Sequence, residues 1–138
     1  ARSVGADCIL LIAVALPENR CKELAHFARK LGLDVLLEVN NKKEIDSHLS
    51  EDVDIVGVNN RNLHDFTTSI DTSIALAEYI PNEFVKISES GITKAEHIVK
   101  LKKHGFKAFL IGTHFMNHAQ PDLACAKLIS EVNKLEQL

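Results

Sequence analysis

Short apolar runs alternate with longer amphipathic stretches along the whole chain. The runs at 8–12, 35–39, 55–58, 85–87 and 108–111 are rich in Val, Ile and Leu at consecutive positions. Strands covered on both faces have this pattern, as in parallel sheets. Between them, 17–31 starts with Pro17 in its first turn, stops before Gly32, and sets Leu24, Phe27, Ala28 and Leu31 on one face. A short helix is predicted at 42–49. The stretch 71–79 has Asp71 as its N-cap and Pro81 beyond its end. The stretch 93–103 opens with "TKAE", a capping box of Thr93 and Glu96, and stops at Gly105. A last helix is predicted at 121–135.

Five strand–helix units therefore fill 138 residues as one domain, with no linker and no low-complexity tract. Strands that alternate with helices imply parallel pairing through right-handed crossovers. Two α/β architectures remain open on the pattern alone: a doubly wound open sheet, and part of a (β/α)8 barrel. A complete barrel takes roughly 250 residues and eight units, so five units would make an incomplete one.

Composition narrows the function classes. Hydrophobic residues are 46% and charged residues 25%, a globular balance. The net charge of -3 lacks the clustered cations that non-specific nucleic-acid binding needs. The longest apolar run, 8–16, is too short to span a bilayer. Three cysteines, Cys8, Cys21 and Cys125, have no C-x-x-C spacing, which suits buried or inert thiols in a reducing compartment such as the cytoplasm. "ARSVGAD" reads as the last turn of a helix closed by Gly5, so the sequence is expected to continue upstream of Ala1.

Both architectures bind ligands at the carboxyl ends of their strands. The polar groups of this sequence collect there: Glu38 in "DVLLEVN", Asn59 to Asn62 in "GVNNRNL", "SESGI", and "IGTHFM". Glu38 lies between Leu37 and Val39, and desolvation would suit its carboxylate to proton transfer near neutral pH. Asn59 can donate and accept, so it can orient a hydroxyl or a carboxylate; Asn also dominates plain turns. Ser90-Gly91 and Gly112-Thr113 each follow a strand and are expected to open a helix. Free amides there attract an anion, and glycine lets a phosphate come close.

"LLEVN", "VGVNNRNLHDF", "KISESGI" and "AFLIGTHFM", in this order and spacing, resemble indole-3-glycerol phosphate synthase over the whole chain. The resemblance implies a (β/α)8 barrel, with this chain holding strands four to eight. It implies a lyase of tryptophan biosynthesis that closes an indole ring, with loss of carbon dioxide and water, on a phosphorylated small molecule. No metal and no organic cofactor would be needed. By the same resemblance Glu38 is an acid/base carboxylate and Asn59 positions the anthranilate part. Glu89 meets substrate hydroxyls, and Ser90 meets the carboxylate or ring region. Arg61 supports the substrate, and Leu63 and Leu110 line the ring pocket. Gly91, Gly112 and Thr113 cradle the phosphate; Thr113 departs from the Ser or Glu often found there but keeps a donor.

The family's two catalytic lysines and its first glutamate belong to strands one to three, and the resemblance gives them no counterpart here. The 138-residue chain alone is therefore expected to be inactive. A barrel cut open also leaves two strand edges and an apolar interior, so a homodimer is expected. Other phosphate-binding barrels, phosphoribosylanthranilate isomerase or thiamine phosphate synthase, fit "NNRNL" poorly. His114 and His118 have the i, i+4 spacing of a metal pair but no third ligand nearby, so they read as a surface helix. No membrane or nucleic-acid partner is expected.

Overall fold

A computed structural model describes residues 1–63 and 65–137. Five strands form one parallel sheet: β1 (Cys8–Ile12), β2 (Asp34–Val39), β3 (Ile55–Asn59), β4 (Val85–Glu89) and β5 (Phe106–Leu110). Their spatial order is β1-β2-β3-β4-β5, the same as their order along the chain. A doubly wound sheet reverses its order at a switch point, whereas a barrel adds each strand beside the last. Sequential order therefore decides between the two architectures in favour of the barrel type.

The helices are α1 (Glu18–Lys30), α2 (Lys42–His48), α3 (Asp71–Leu76), α4 (Ala95–Lys103), α5 (Thr113–Met116) and α6 (Pro121–Glu136). Alternation along the strands sorts the side chains into two faces. On β2, Val35, Leu37 and Val39 are fully buried against the helices, as are Val56 and Val58 on β3. Leu36, Glu38, Gly57, Asn59, Ile87, Glu89 and Leu110 lie in register on the other, concave face. No described helix covers that face: Leu10 is 48%, Val85 44% and Leu110 47% exposed.

Several local expectations shift. Helix α1 turns Cys21, Ala25 and Ala28 inward, while Phe27 and Leu31 are exposed. Small side chains let the helix lie close to the sheet, and that outweighs the larger apolar stripe. The capping box of Thr93 and Glu96 does not form: α4 starts at Ala95 with Lys94 as its N-cap and no side-chain cap bond. Asp71 is inside its helix, and its amide bonds the Ser69 hydroxyl at 3.2 Å. A reciprocal cap appears instead at Asn41, whose Oδ1 accepts from the Glu44 amide at 3.0 Å while its Nδ2 donates to Glu44 at 2.7 Å. Gly5, Gly32 and Gly105 take positive φ where the preceding helices end. Cys21 is buried, but Cys8 is exposed at the first position of the uncovered β1 edge.

Candidate active site

β3 and β4 run further than the apolar runs suggest, so Asn59 and Glu89 are each the last strand residue, and they are register partners. Glu38 stands one residue before the end of β2, opposite Gly57. Three predicted groups thus meet on the concave face at the carboxyl end of the sheet. Asn59 Nδ2 donates to Glu38 Oε1 at 3.1 Å, and Asn59 Oδ1 accepts from the Arg61 amide at 3.0 Å. Both ends of the amide are engaged, which fixes its orientation.

Glu89 is the more deeply placed carboxyl, 7% exposed. Burial pushes it up to about 7, and the nearby charge and hydrogen bond of Glu38 push it the same way. The charge of Glu38 beside it makes ionisation of Glu89 costlier still, so Glu89 holds its proton well above the ordinary carboxyl range. Glu89 Oε1 has no hydrogen-bond partner. Gly57 lies against it: a Cβ there would be 2.0 Å from Glu89 Oε1 and 3.1 Å from Leu36 Cδ1. The missing side chain is what leaves room for the carboxyl. Gly57 has no role in the sequence reading, although a glycine inside a central strand is itself a sign of close approach.

Past β4 the backbone is strained. Ser90 has φ 66 and Gly91 φ 69, two successive residues in the left-handed region. For a residue with a Cβ this costs about 1 kcal/mol or more. Asn60 holds it in place. Its amide donates to the Glu89 carbonyl at 2.8 Å, and its Nδ2 donates to the Ser90 carbonyl at 3.0 Å and the Ser88 hydroxyl at 2.9 Å. Its Oδ1 accepts from the Ser73 amide at 3.1 Å and hydroxyl at 2.8 Å, and the two serine hydroxyls meet at 2.7 Å. Asn60, Ser73 and Ser88 are all buried. Sequence reasoning placed Asn60 only in a polar cluster; nothing local announces that its partners come from α3 and β4.

A cavity of about 380 Å³ opens beside this corner, lined by Arg61, Ser90, Gly91, Leu110, Gly112, Thr113 and the His114–His118 stretch. All three residues assigned to the phosphate therefore line one space, and Arg61 reaches the same space. Ser90-Gly91 does not open a helix as expected, because α4 starts only at Ala95. Gly112 is the N-cap of α5, so Gly112-Thr113 opens a helix as expected, though one of only four residues. A Cβ on Gly91 would sit 2.8 Å from Thr68 Cβ, so glycine also lets the loop after β3 close down here. That loop is tied by an antiparallel bridge between Arg61 and Thr68. Leu63 and Leu110 do not share a pocket: Leu63 lines a separate cavity of about 340 Å³ with Val14, Asn40 and Asn59. Arg61 borders both cavities. Among the described residues no cluster of three metal-ligating side chains occurs, and no helix is long and apolar enough to cross a membrane.

A family model for indole-3-glycerol phosphate synthase matches residues 1–128. The enzyme of that name from Bacteroides thetaiotaomicron is 46% identical over 121 residues, 88% of this chain and 46% of that protein. The one from Lachnospira eligens is 43% identical over 140 residues, 98% of this chain and 51% of that protein. The chain thus spans about half the length of the curated relatives it matches. Among solved structures, 3-hexulose-6-phosphate synthase from Salmonella typhimurium superposes with a TM-score of 0.77 at 14% identity, over 96% of this chain and 64% of that one. A mutant tryptophan synthase α-subunit from Pyrococcus furiosus gives 0.69 at 21% identity, over 97% and 57%. At those identities the likeness is one of fold.

Proposed function

From the premise that the chain belongs to the indole-3-glycerol phosphate synthase family, we propose that it carries the half of that active site which binds the phosphate and completes the acid/base chemistry. The reaction would be the decarboxylating ring closure of 1-(2-carboxyphenylamino)-1-deoxyribulose 5-phosphate to indole-3-glycerol phosphate, in the cytoplasm. The observation that carries this reading is the convergence of Glu38, Asn59 and Glu89 on one end of the concave face, beside a cavity lined by Arg61, Gly91, Gly112 and Thr113.

Each group then has a task. The carboxyl pair of Glu38 and Glu89 gives and takes the protons of the dehydration. Asn59, locked at both ends, and Ser90 orient the anthranilate part. Arg61 and the first-turn amides of α5 face the phosphate, which glycine at 91 and 112 lets approach. Leu110 packs against the ring, and Leu63 would reach it only through the separate cavity on the far side of Arg61.

The 138-residue chain by itself is proposed to be inactive. Ring closure needs a strong acid at the ketone, and the strand lysines, Lys86 and Lys107, are each the second residue of their strand, far from its carboxyl end. Lys86 is turned away, donating to the Ala77 carbonyl at 2.7 Å. Titrating the chain with indole-3-glycerol phosphate should move the amide resonances of Gly91 and Gly112 without any turnover of the open-chain substrate. Turnover above background would overturn the inactivity, and binding that leaves those amides unmoved would overturn the site.

The exposed concave face and the unpaired edges of β1 and β5 favour a second reading, self-association. Sedimentation is expected to give a dimer or larger; a clean monomer at tens of micromolar would rule it out.

A further inference from the structure

His114 and His118 carry no role in the chemistry above. They do not share a helix, since α5 ends at Met116 and His118 lies in the turn beyond it. Their rings nevertheless meet edge-on, with centroids 5.1 Å apart, and His114 also packs on Phe115 at 5.4 Å. Both line the cavity that holds Arg61, Gly91, Gly112 and Thr113, and both line the adjoining cavity of about 450 Å³ toward α6. With Thr93, they are the residues common to both spaces.

Resting on the phosphate reading above, we propose that His114 and His118 are further binding residues of the anion site, taking a phosphate ester or similar oxyanion in their protonated forms. His118 Nδ1 lies 2.9 Å from the His114 carbonyl, which can only accept, so Nδ1 carries the proton. In the neutral ring Nε2 is then an acceptor and repels an anion. Protonation turns Nε2 into a second donor. Two imidazolium rings in edge contact repel each other, and an anion beside them relieves that repulsion. Anion binding and protonation therefore favour one another.

The surrounding charges are few. Arg61 lines the first cavity together with the pair. From α6, Lys127 and Glu131 line the second cavity and are paired with each other at 3.8 Å, so they nearly cancel. From α4, His97 is held near the Thr93 amide, its Nδ1 3.5 Å away. No described carboxylate of the first cavity competes for the histidine protons.

The test uses inorganic sulfate, whose charge is fixed over the histidine range, and follows the chain by NMR at about pH 5.5 and about pH 8. Expected are shifts of the Gly91 and Gly112 amides, ring-carbon shifts at both histidines, and binding about fivefold or more tighter at the lower pH. In the double variant His114→Gln/His118→Gln the pH dependence should vanish while the amide shifts persist. Circular dichroism confirms that the variant is folded. If the glycine amides shift with the same affinity at both pH values and the histidines stay silent, this inference fails and the phosphate reading stands. If no resonance moves at either pH, both fall.

Discussion

Replacing Asn60 with alanine is expected to destabilise the chain by about 3 kcal/mol, more than a typical surface or loop substitution. The side chain makes every bond its amide allows: two donated, to Ser88 and Ser90, and two accepted from Ser73. Alanine would leave a carbonyl, an amide and two hydroxyls in a dry space with fewer partners than they need. It would also release the left-handed turn at Ser90, which among the described residues no other side-chain hydrogen bond restrains. Urea unfolding measures the loss. A second variant tells a network from a lone contact. If Ser73→Ala is added, the combined loss should fall well short of the two single losses together, because the hydroxyl has already lost its partner. A loss under about 0.5 kcal/mol for Asn60→Ala, or strict additivity, would show that the cluster does not act as a unit.

The second large effect belongs to Glu89 and depends on pH. Its carboxyl stands at about 7 in the folded chain against an ordinary 4.5. The folded state therefore holds the proton more tightly than the unfolded one. Its contribution to stability is complete below about pH 4.5 and is lost as pH rises through about 7. Above that, folding forces a charge into a site where Oε1 meets no donor and Glu38 repels it. The shift sets a ceiling of roughly 3 kcal/mol on the loss. Glu89→Gln removes the charge and keeps the shape, and its new N–H can donate to Glu38. The variant should be more stable than the parent at pH 8, by about 1–3 kcal/mol, and nearly equal at pH 4. Thermal melts across that range check the sign. A variant that is less stable at pH 8 would mean that the parent carboxylate is well solvated when charged.

What the sequence made legible follows from which signals are local. Strand cores announce themselves through consecutive branched residues, and the polar groups at their carboxyl ends follow one after another, so Glu38, Asn59, Glu89 and Gly91 could be picked out by position. The apolar pattern could not supply the sequential strand order, because pairing partners are not encoded in any one run; the resemblance to a barrel family implied it. The inward face of α1 was misread because burial here favours small residues that let a helix approach, and a hydrophobic count favours Phe27 and Leu31. The pair of Thr93 and Glu96 has the right letters for a cap, but the chain enters α4 one residue later than the motif requires, with Lys94 at the N-cap. Gly57 and Asn60 were passed over for a common reason. Each matters through an atom from another strand or helix: Glu89 Oε1 in one case, Ser73 and Ser88 in the other.

The order of the strands also bears on how the chain finds its fold. Each strand pairs with the next along the chain, Cys8 with Asp34, Leu36 with Ile55, Ile55 with Val85, Lys86 with Phe106. Every pairing closes a loop of one unit, and β1 and β5 never have to meet. Loop-closure entropy is thus met in small, nearly equal steps. A parallel sheet usually folds slowly because its partners are distant in sequence. Here the sheet can grow unit by unit from any starting pair, each new strand–helix unit resting on the one before.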